Sequence, residues 1–159
     1  MSDPTASSPE VRLAEVGIVL PAVGSPAGSY VPAVSTGDLV FLSGNGPITD
    51  GTVIFSGAVG TDLTSDEGYQ AARLTAINLL AALRAEIGSL DRVKRVVKLL
   101  GWVNSAPGFY QQHGVIDGAS DLFAEVFGGQ GVHARSAIAA NQLVFNMAVE
   151  IEMVVQLKG

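Results

Sequence analysis

The chain of 159 residues contains no cysteine, which excludes disulfide frameworks, thiolate metal sites and cysteine nucleophiles. Basic residues are also scarce. Nine Lys and Arg stand against fifteen Asp and Glu, giving a formal net charge of −6 and a pI near 4.7. A protein that grips phosphate backbones needs a net or local excess of positive charge, so nucleic-acid binding is disfavoured. The one basic cluster, Arg92, Lys94, Arg95 and Lys98, alternates as the solvated side of a strand does. Long apolar runs are missing too: Val16 to Val23 is short and is broken by Gly17 and Pro21. The Ser- and Pro-rich start, Met1 to Pro9, has no basic cluster and does not read as a signal peptide, so a cytoplasmic location is the default expectation.

Other chemical fingerprints are absent. His113 and His133 have no partner at metal-ligand spacing, so they read as polar surface or supporting groups and no metal is expected. Glycine is plentiful, with 19 residues, yet no phosphate loop or dinucleotide fingerprint falls between a strand and a helix, and "GGQG" at 128–131 follows a helix end. Ser43 in "LSGNG" lacks the strand–elbow–helix setting of a hydrolase nucleophile.

What is present suits one domain. Hydrophobic residues make up 48% of the chain, enough for an ordinary core. Residues 1 to 10 are expected to form a flexible tail, and Val11 to Val16 a short helix or loose cover. "YVPAVSTGDLVFLSG" reads as two β segments around Thr36-Gly37-Asp38, and Asp50-Gly51 as a tight hairpin. Thr64-Ser65-Asp66-Glu67 fits a capping box at the start of a helix that ends at Gly88. Tyr69, Ala72, Ala76, Leu79, Leu80, Leu83 and Ile87 form its apolar stripe. Val93 to Val103 predicts an inner strand. A second helix is expected from near Ser105-Ala106-Pro107 to Phe127, burying Ile116, Ala119, Phe123 and Phe127. Two strands, about Ala134 to Ala140 and Ala148 to Leu157, complete a β-β-α-β-α-β-β order. That order predicts an α/β fold with a mixed sheet and both helices on one face. The other face would stay bare, which implies oligomerisation through the sheet.

Two features could carry chemistry. Arg135 sits alone in the small, apolar text "HARSAIAA", where a guanidinium needs an anion, either a protein carboxylate in a structural ion pair or an acidic ligand. Glu150 and Glu152 interrupt the apolar "AVEIEMVV" and, being two apart, share a strand face. They suit either a solvated face or a site. If the last two strands form a hairpin centred between Leu143 and Val144, Arg135 lies opposite Glu152 and Ala137 opposite Glu150.

"GSYVPAVSTGDLVFLSGNGPI", "SLDRVKRVVKLLGWV", "LFAEVFGG", "ARS" and "VEIEMV", in this order, resemble the successive blocks of the Rid (YjgF) family of imine and enamine deaminases. The likeness spans about Gly28 to Leu157, and the longer N-terminal segment and "VNSAPGF" are similar to its endoribonuclease L-PSP-like branch. The resemblance implies a chorismate-mutase-like fold, a homotrimer packed through its sheets, and ligand clefts between subunits. By position it also implies a carboxylate-gripping role for Arg135, a conserved acid at Glu150, a substrate-facing Tyr30, and Ser43 in the cleft wall. Ala137 and Ser120 stand where the family often has Cys or Thr and Asn, and Leu143-Val144 where it has Leu-Pro.

The expected activity is therefore hydrolysis of 2-imino or 2-enamino acids to 2-oxo acids and ammonia, with no cofactor, no membrane and no nucleic-acid partner. A non-catalytic trimer that binds small carboxylates or a protein partner is the alternative. RNA-cleaving translation inhibition, suggested only by older naming in the family, ranks last.

Overall fold

The computed structural model describes residues 7–159. The expected tail falls mostly on residues 1–6, outside the described residues. Pro9 and Glu10 belong instead to a short helix, α1 (Pro9–Glu15), which opens on the Ser8 cap with proline at its first position, where no amide donor is needed. It is pinned through Glu10, whose carboxylate accepts from the Leu90 amide at 2.9 Å while its own amide donates to Asp91 at 3.0 Å. Leu13 is buried beneath it.

The strands are β1 (Ala33–Thr36), β2 (Leu39–Asn45), β3 (Ile48–Thr49), β4 (Thr52–Val53), β5 (Val93–Asn104), β6 (Ala134–Ala140) and β7 (Val149–Leu157). β3 and β4 form the anticipated hairpin, whose corner residues Asp50 and Gly51 have φ of 49° and 76°, as its tight turn requires. The main sheet runs β1-β2-β7-β5-β6, with β5 and β6 parallel and every other pair antiparallel.

Helix α2 (Ser65–Ile87) begins at the capping box: Glu67 N–H donates to Thr64 Oγ1 at 3.2 Å and Thr64 N–H to Glu67 Oε2 at 2.7 Å. Such a cap is worth about 1 kcal/mol. Helix α3 (Gln112–Phe127) starts later than the sequence suggests. Pro107 does not lead into it, because Gly108 follows at φ +83°, a left-handed turn that no α-helix can continue through. Both helices lie on one face of the sheet and cross closely: a Cβ on Gly118 would sit 2.1 Å from the Tyr69 carbonyl oxygen. Leu79, Leu83, Ile116, Leu122 and Phe123 from the helices meet Val40, Leu99, Ile151, Met153 and Val155 from the strands in one core. The opposite face is not covered by any helix of the described residues. It presents Val34, Phe41 and Ile138, each about half exposed, beside the partly buried Leu100, Trp102 and Val154.

The last two strands correct the sequence reading. They do not form a hairpin. After β6 the chain crosses β5, so that β7 inserts between β2 and β5 and leaves β6 at the edge. Arg135 pairs with Leu99, and Leu99 with Met153; Glu152 pairs with Leu100, and Glu150 with Trp102. Paired residues share a face. Leu99 and Met153 are buried under the helices, so Arg135 lies on the helix side and both glutamates on the uncovered side. Ala137, opposite Gly101 and not Glu150, packs against the core.

Candidate functional site

The chain presents two candidate regions, one on each side of the sheet. The first is a groove of about 1160 Å³ at the end of β2 and β7. One wall is the extended stretch from Pro21 to Tyr30, the other the loop bearing Val144, Phe145 and Met147, and β3 and β4 close the end through Ile48, Asp50 and Val53. Phe145 and Asn146 both hold positive φ, near 55°, which strains the loop beside the groove. Asn78 of α2 donates to the carbonyls of Gly46 and Ile48, both at 2.9 Å, and ties the helix to the groove floor.

Glu150 is half buried in this groove, with Glu152, Tyr30, Ser43, Gly44 and Asn45 around it. Desolvation pushes its carboxyl above the usual range, and the like charge of Glu152 adds to the shift. Its carboxylate lies directly over Gly44: a Cβ there would come 2.3 Å from Glu150 Oε1. Only glycine lets the acid settle on the β2 backbone, which gives the glycine of the "SG" pair a role that the sequence reading overlooked. Ser43 is in the groove wall, but its hydroxyl donates to the Val31 carbonyl at 2.7 Å. Tyr30 is half exposed, and its phenol accepts from the Ala27 amide at 3.3 Å. The groove lining includes three carboxylates, from Asp50, Glu150 and Glu152, and no Lys, Arg or His.

The second region lies between β6 and α3. Arg135 Nη1 donates to Asp117 Oδ1 at 2.7 Å and to Ser120 Oγ at 3.0 Å, and Nη2 donates to the His113 carbonyl at 3.2 Å. Three of the five guanidinium N–H groups are thereby engaged, and among the described residues the other two have no acceptor. An open depression of about 240 Å³ adjoins them, lined by Ser120, Asp121, Ala124, Val132, His133 and Arg135. Asp117 and His133 were not singled out as site residues from the sequence. Asp117 could have been, since it stands three residues before Ser120 on the same helical face.

Of the residues singled out from the sequence, the structure brings Tyr30, Ser43 and Glu150 together in the groove. Arg135 and Ser120 meet on the other side of the sheet, and Ala137 belongs to neither set. Among the described residues no three His, Asp or Glu side chains are grouped to hold a metal ion, and no helix is long and apolar enough to cross a membrane.

Comparison with known proteins supplies the lineage. Residues 10–157 match the family model described as "YjgF/chorismate_mutase-like, putative endoribonuclease". The chain is 44% identical over 149 residues to protein TCP17 of Trypanosoma cruzi, covering 93% of each. It is 41% identical to the crystal structure of Atu1372 from Agrobacterium tumefaciens, a protein of unknown function, with a TM-score of 0.86 over 94% of this chain and 91% of that one. A "putative endoribonuclease" from Shewanella oneidensis is 33% identical and superposes with a TM-score of 0.92, covering 95% of this chain and 100% of the other. The Escherichia coli YjgF product, at 19% identity and a TM-score of 0.61, shares the fold. Length, ordered sequence blocks and architecture agree, and the chain belongs to the YjgF/chorismate mutase-like family.

Proposed function

We propose that this protein hydrolyses reactive 2-imino or 2-enamino acids to 2-oxo acids and ammonia, with Glu150 as the general acid–base. The observation that carries the reading is the setting of Glu150: a half-buried carboxyl with a raised pKa, resting on Gly44 in an open groove. A carboxyl shifted toward neutrality can both accept and return a proton. Water adds to the C=N carbon as Glu150 takes its proton, and the nitrogen is protonated to give a carbinolamine. Glu150 returns its proton to the carbinolamine nitrogen, making it an ammonium leaving group, and takes the hydroxyl proton as the C–N bond breaks, so that ammonia leaves and the 2-oxo acid forms. An iminium nitrogen is cationic, and a groove bearing only acidic charge attracts it.

Arg135 cannot serve the Glu150 of its own chain, because β5 and the sheet plane separate them. In this reading the substrate carboxylate is held by Arg135 of a neighbouring copy, and the uncovered sheet face, with Phe41, Leu100, Trp102 and Ile138, packs in a homotrimer. Single-turnover requirements are modest, since such imines hydrolyse readily in water and positioning supplies much of what is left.

The test follows ammonia release from imino acids generated in situ by an amino-acid oxidase, corrected for the buffer rate. Glu150→Gln should lower the protein-dependent rate by roughly 100-fold, and Arg135→Ala by about tenfold or more. Unchanged rates in both variants would sink the assignment.

One observation favours a second reading, a trimer that binds small carboxylates without turnover: the guanidinium of Arg135 already donates to Asp117. Calorimetric binding of a 2-oxo acid without any rate above buffer would select it. The relatives' endoribonuclease naming finds no support in the groove, whose carboxylates repel a phosphate backbone.

A further inference from the structure

The depression beside α3 holds a directed chain of hydrogen bonds of which the deaminase reading uses only Arg135. His133 Nδ1 lies 2.5 Å from the Gly131 carbonyl oxygen, and Nε2 lies 3.0 Å from Ser120 Oγ. A carbonyl can only accept, so Nδ1 carries the proton and Nε2 is left as the acceptor. The Ser120 hydroxyl then points its proton at Nε2, while its oxygen accepts from Arg135 Nη1 at 3.0 Å. The imidazole is held from the side as well, edge-on to the buried Phe123 with ring centroids 6.1 Å apart.

From this geometry we propose that Ser120 and His133 form a nucleophile–base pair that accepts acyl groups from small esters, with Arg135 beside the developing oxyanion. Four features support the assignment. A backbone carbonyl fixes the tautomer, one part of what a buried Asp does in serine hydrolases. Arg135 touches the nucleophilic oxygen and has two N–H groups without an acceptor among the described residues. The adjoining 240 Å³, about eight water volumes, has an apolar wall of Ala124 and Val132 that suits a short acyl chain. Burial, reinforced by the charge of Arg135, holds the His133 pKa below its ordinary value, which favours the unprotonated ring whose Nε2 can accept the Ser120 proton.

The charged groups around the ring leave that state intact. Asp117 is engaged by Arg135, Asp121 accepts from the Tyr69 hydroxyl at 2.8 Å, and Arg95 of β5 donates to the Val132 carbonyl at 3.3 Å. In the reaction Ser120 Oγ attacks the ester carbonyl carbon and its proton passes to His133 Nε2. The C–O bond to the alcohol breaks, and the alcohol leaves with that proton. Water then attacks the acyl-Ser120 carbon, again through His133, and the carboxylic acid is released.

The test uses the full-length protein with phenylmethylsulfonyl fluoride and, separately, p-nitrophenyl acetate. The expected result is one sulfonyl adduct, mapped by peptide mass spectrometry to Ser120, and p-nitrophenol release above the buffer rate. His133→Gln, which keeps a hydrogen-bonding side chain but no base, should slow labelling at least tenfold at unchanged thermal stability. His133→Asn serves the same purpose if the Gln variant misfolds. Absence of an adduct at Ser120 in the wild-type protein overturns the proposal, as does labelling at the wild-type rate in a folded His133 variant.

Discussion

The two sides of the sheet solve opposite problems. On the uncovered side, three carboxylates gather in a wide groove without a counter-charge, and the most enclosed of them, Glu150, responds by holding its proton more tightly. On the helix side Arg135 has three of its five N–H groups engaged, by Asp117, Ser120 and the His113 carbonyl, and beside it lies a small depression with a fixed polar rim. The first region keeps charge in reserve for a ligand; the second keeps geometry. That difference predicts different kinds of damage. Disturbance of the packing between the helices should cost stability, and disturbance of the groove should cost chemistry.

The largest effect should come from Gly118→Ala. The added methyl would stand 2.1 Å from the Tyr69 carbonyl oxygen, a backbone atom that can yield only if α2 and α3 move apart. Overpacking at such a crossing costs about 3 kcal/mol or more, read as a lower denaturant midpoint at unchanged slope. Gly44→Ala should behave otherwise. Its methyl meets the end of the Glu150 side chain, which opens onto solvent and can swing aside. The unfolding free energy should change by less than about 1 kcal/mol, while imine hydrolysis falls as far as in Glu150→Gln, roughly 100-fold. Equal stability losses in the two variants would show that the regions differ less than the structure suggests.

What the sequence revealed of these regions follows the range of the interactions involved. The capping box at Thr64, the Asp50-Gly51 turn and the stripe of α2 are written within a few residues, and all appear where expected. The two-residue spacing of Glu150 and Glu152 correctly placed both on one strand face, since the alternation of a strand is local. The partner of that strand was not legible. β6 and β7 are close in sequence and carry hairpin-like text, but β7 gains two neighbours by inserting between β2 and β5, a preference fixed by residues roughly fifty (β5) and more than a hundred (β2) positions away. The misplaced pairing set Arg135 opposite Glu152. Correct pairing turns the same residue to the other side of the sheet, where the Asp117 carboxylate meets it. His133 was underread for a related reason: its partners, Ser120 and the Gly131 carbonyl, converge only when α3 folds back onto β6.

A smaller effect should follow from Glu152→Gln. Burial comes first in raising the Glu150 pKa and Glu152 second, so the variant should move the Glu150 midpoint part of the way back toward the ordinary carboxylate value. The acidic limb of the kcat/KM profile, or the carboxyl ¹³C shift of Glu150, reads this directly. The sign for stability is fixed by linkage. A carboxyl whose folded pKa is raised favours the folded state fully below its unfolded pKa, and that contribution is lost as the pH rises through the folded value. The variant should therefore flatten the decline in stability across that window. An unmoved midpoint would mean that Glu152 is fully screened by solvent.

The smallest effect belongs to Asp117→Asn. The Arg135–Asp117 contact is short, 2.7 Å, but the Asp117 side chain is 48% exposed, so water already screens the pair. Its loss should cost under about 1 kcal/mol of stability, a modest change for a residue that looks central in the contact pattern. Its value lies in what it does to the guanidinium. With the competing charge removed, Arg135 becomes a better host for an external carboxylate, and calorimetry with pyruvate should show a several-fold gain in affinity, within the factor of ten that about 1.4 kcal/mol represents. Should stability fall while pyruvate affinity stays the same, Arg135 is a structural cation and the contrast between a reserved and a satisfied region becomes absolute. Should affinity rise, Asp117 holds the place that a substrate carboxylate takes, and the two sides of the sheet contribute complementary halves of one intersubunit site.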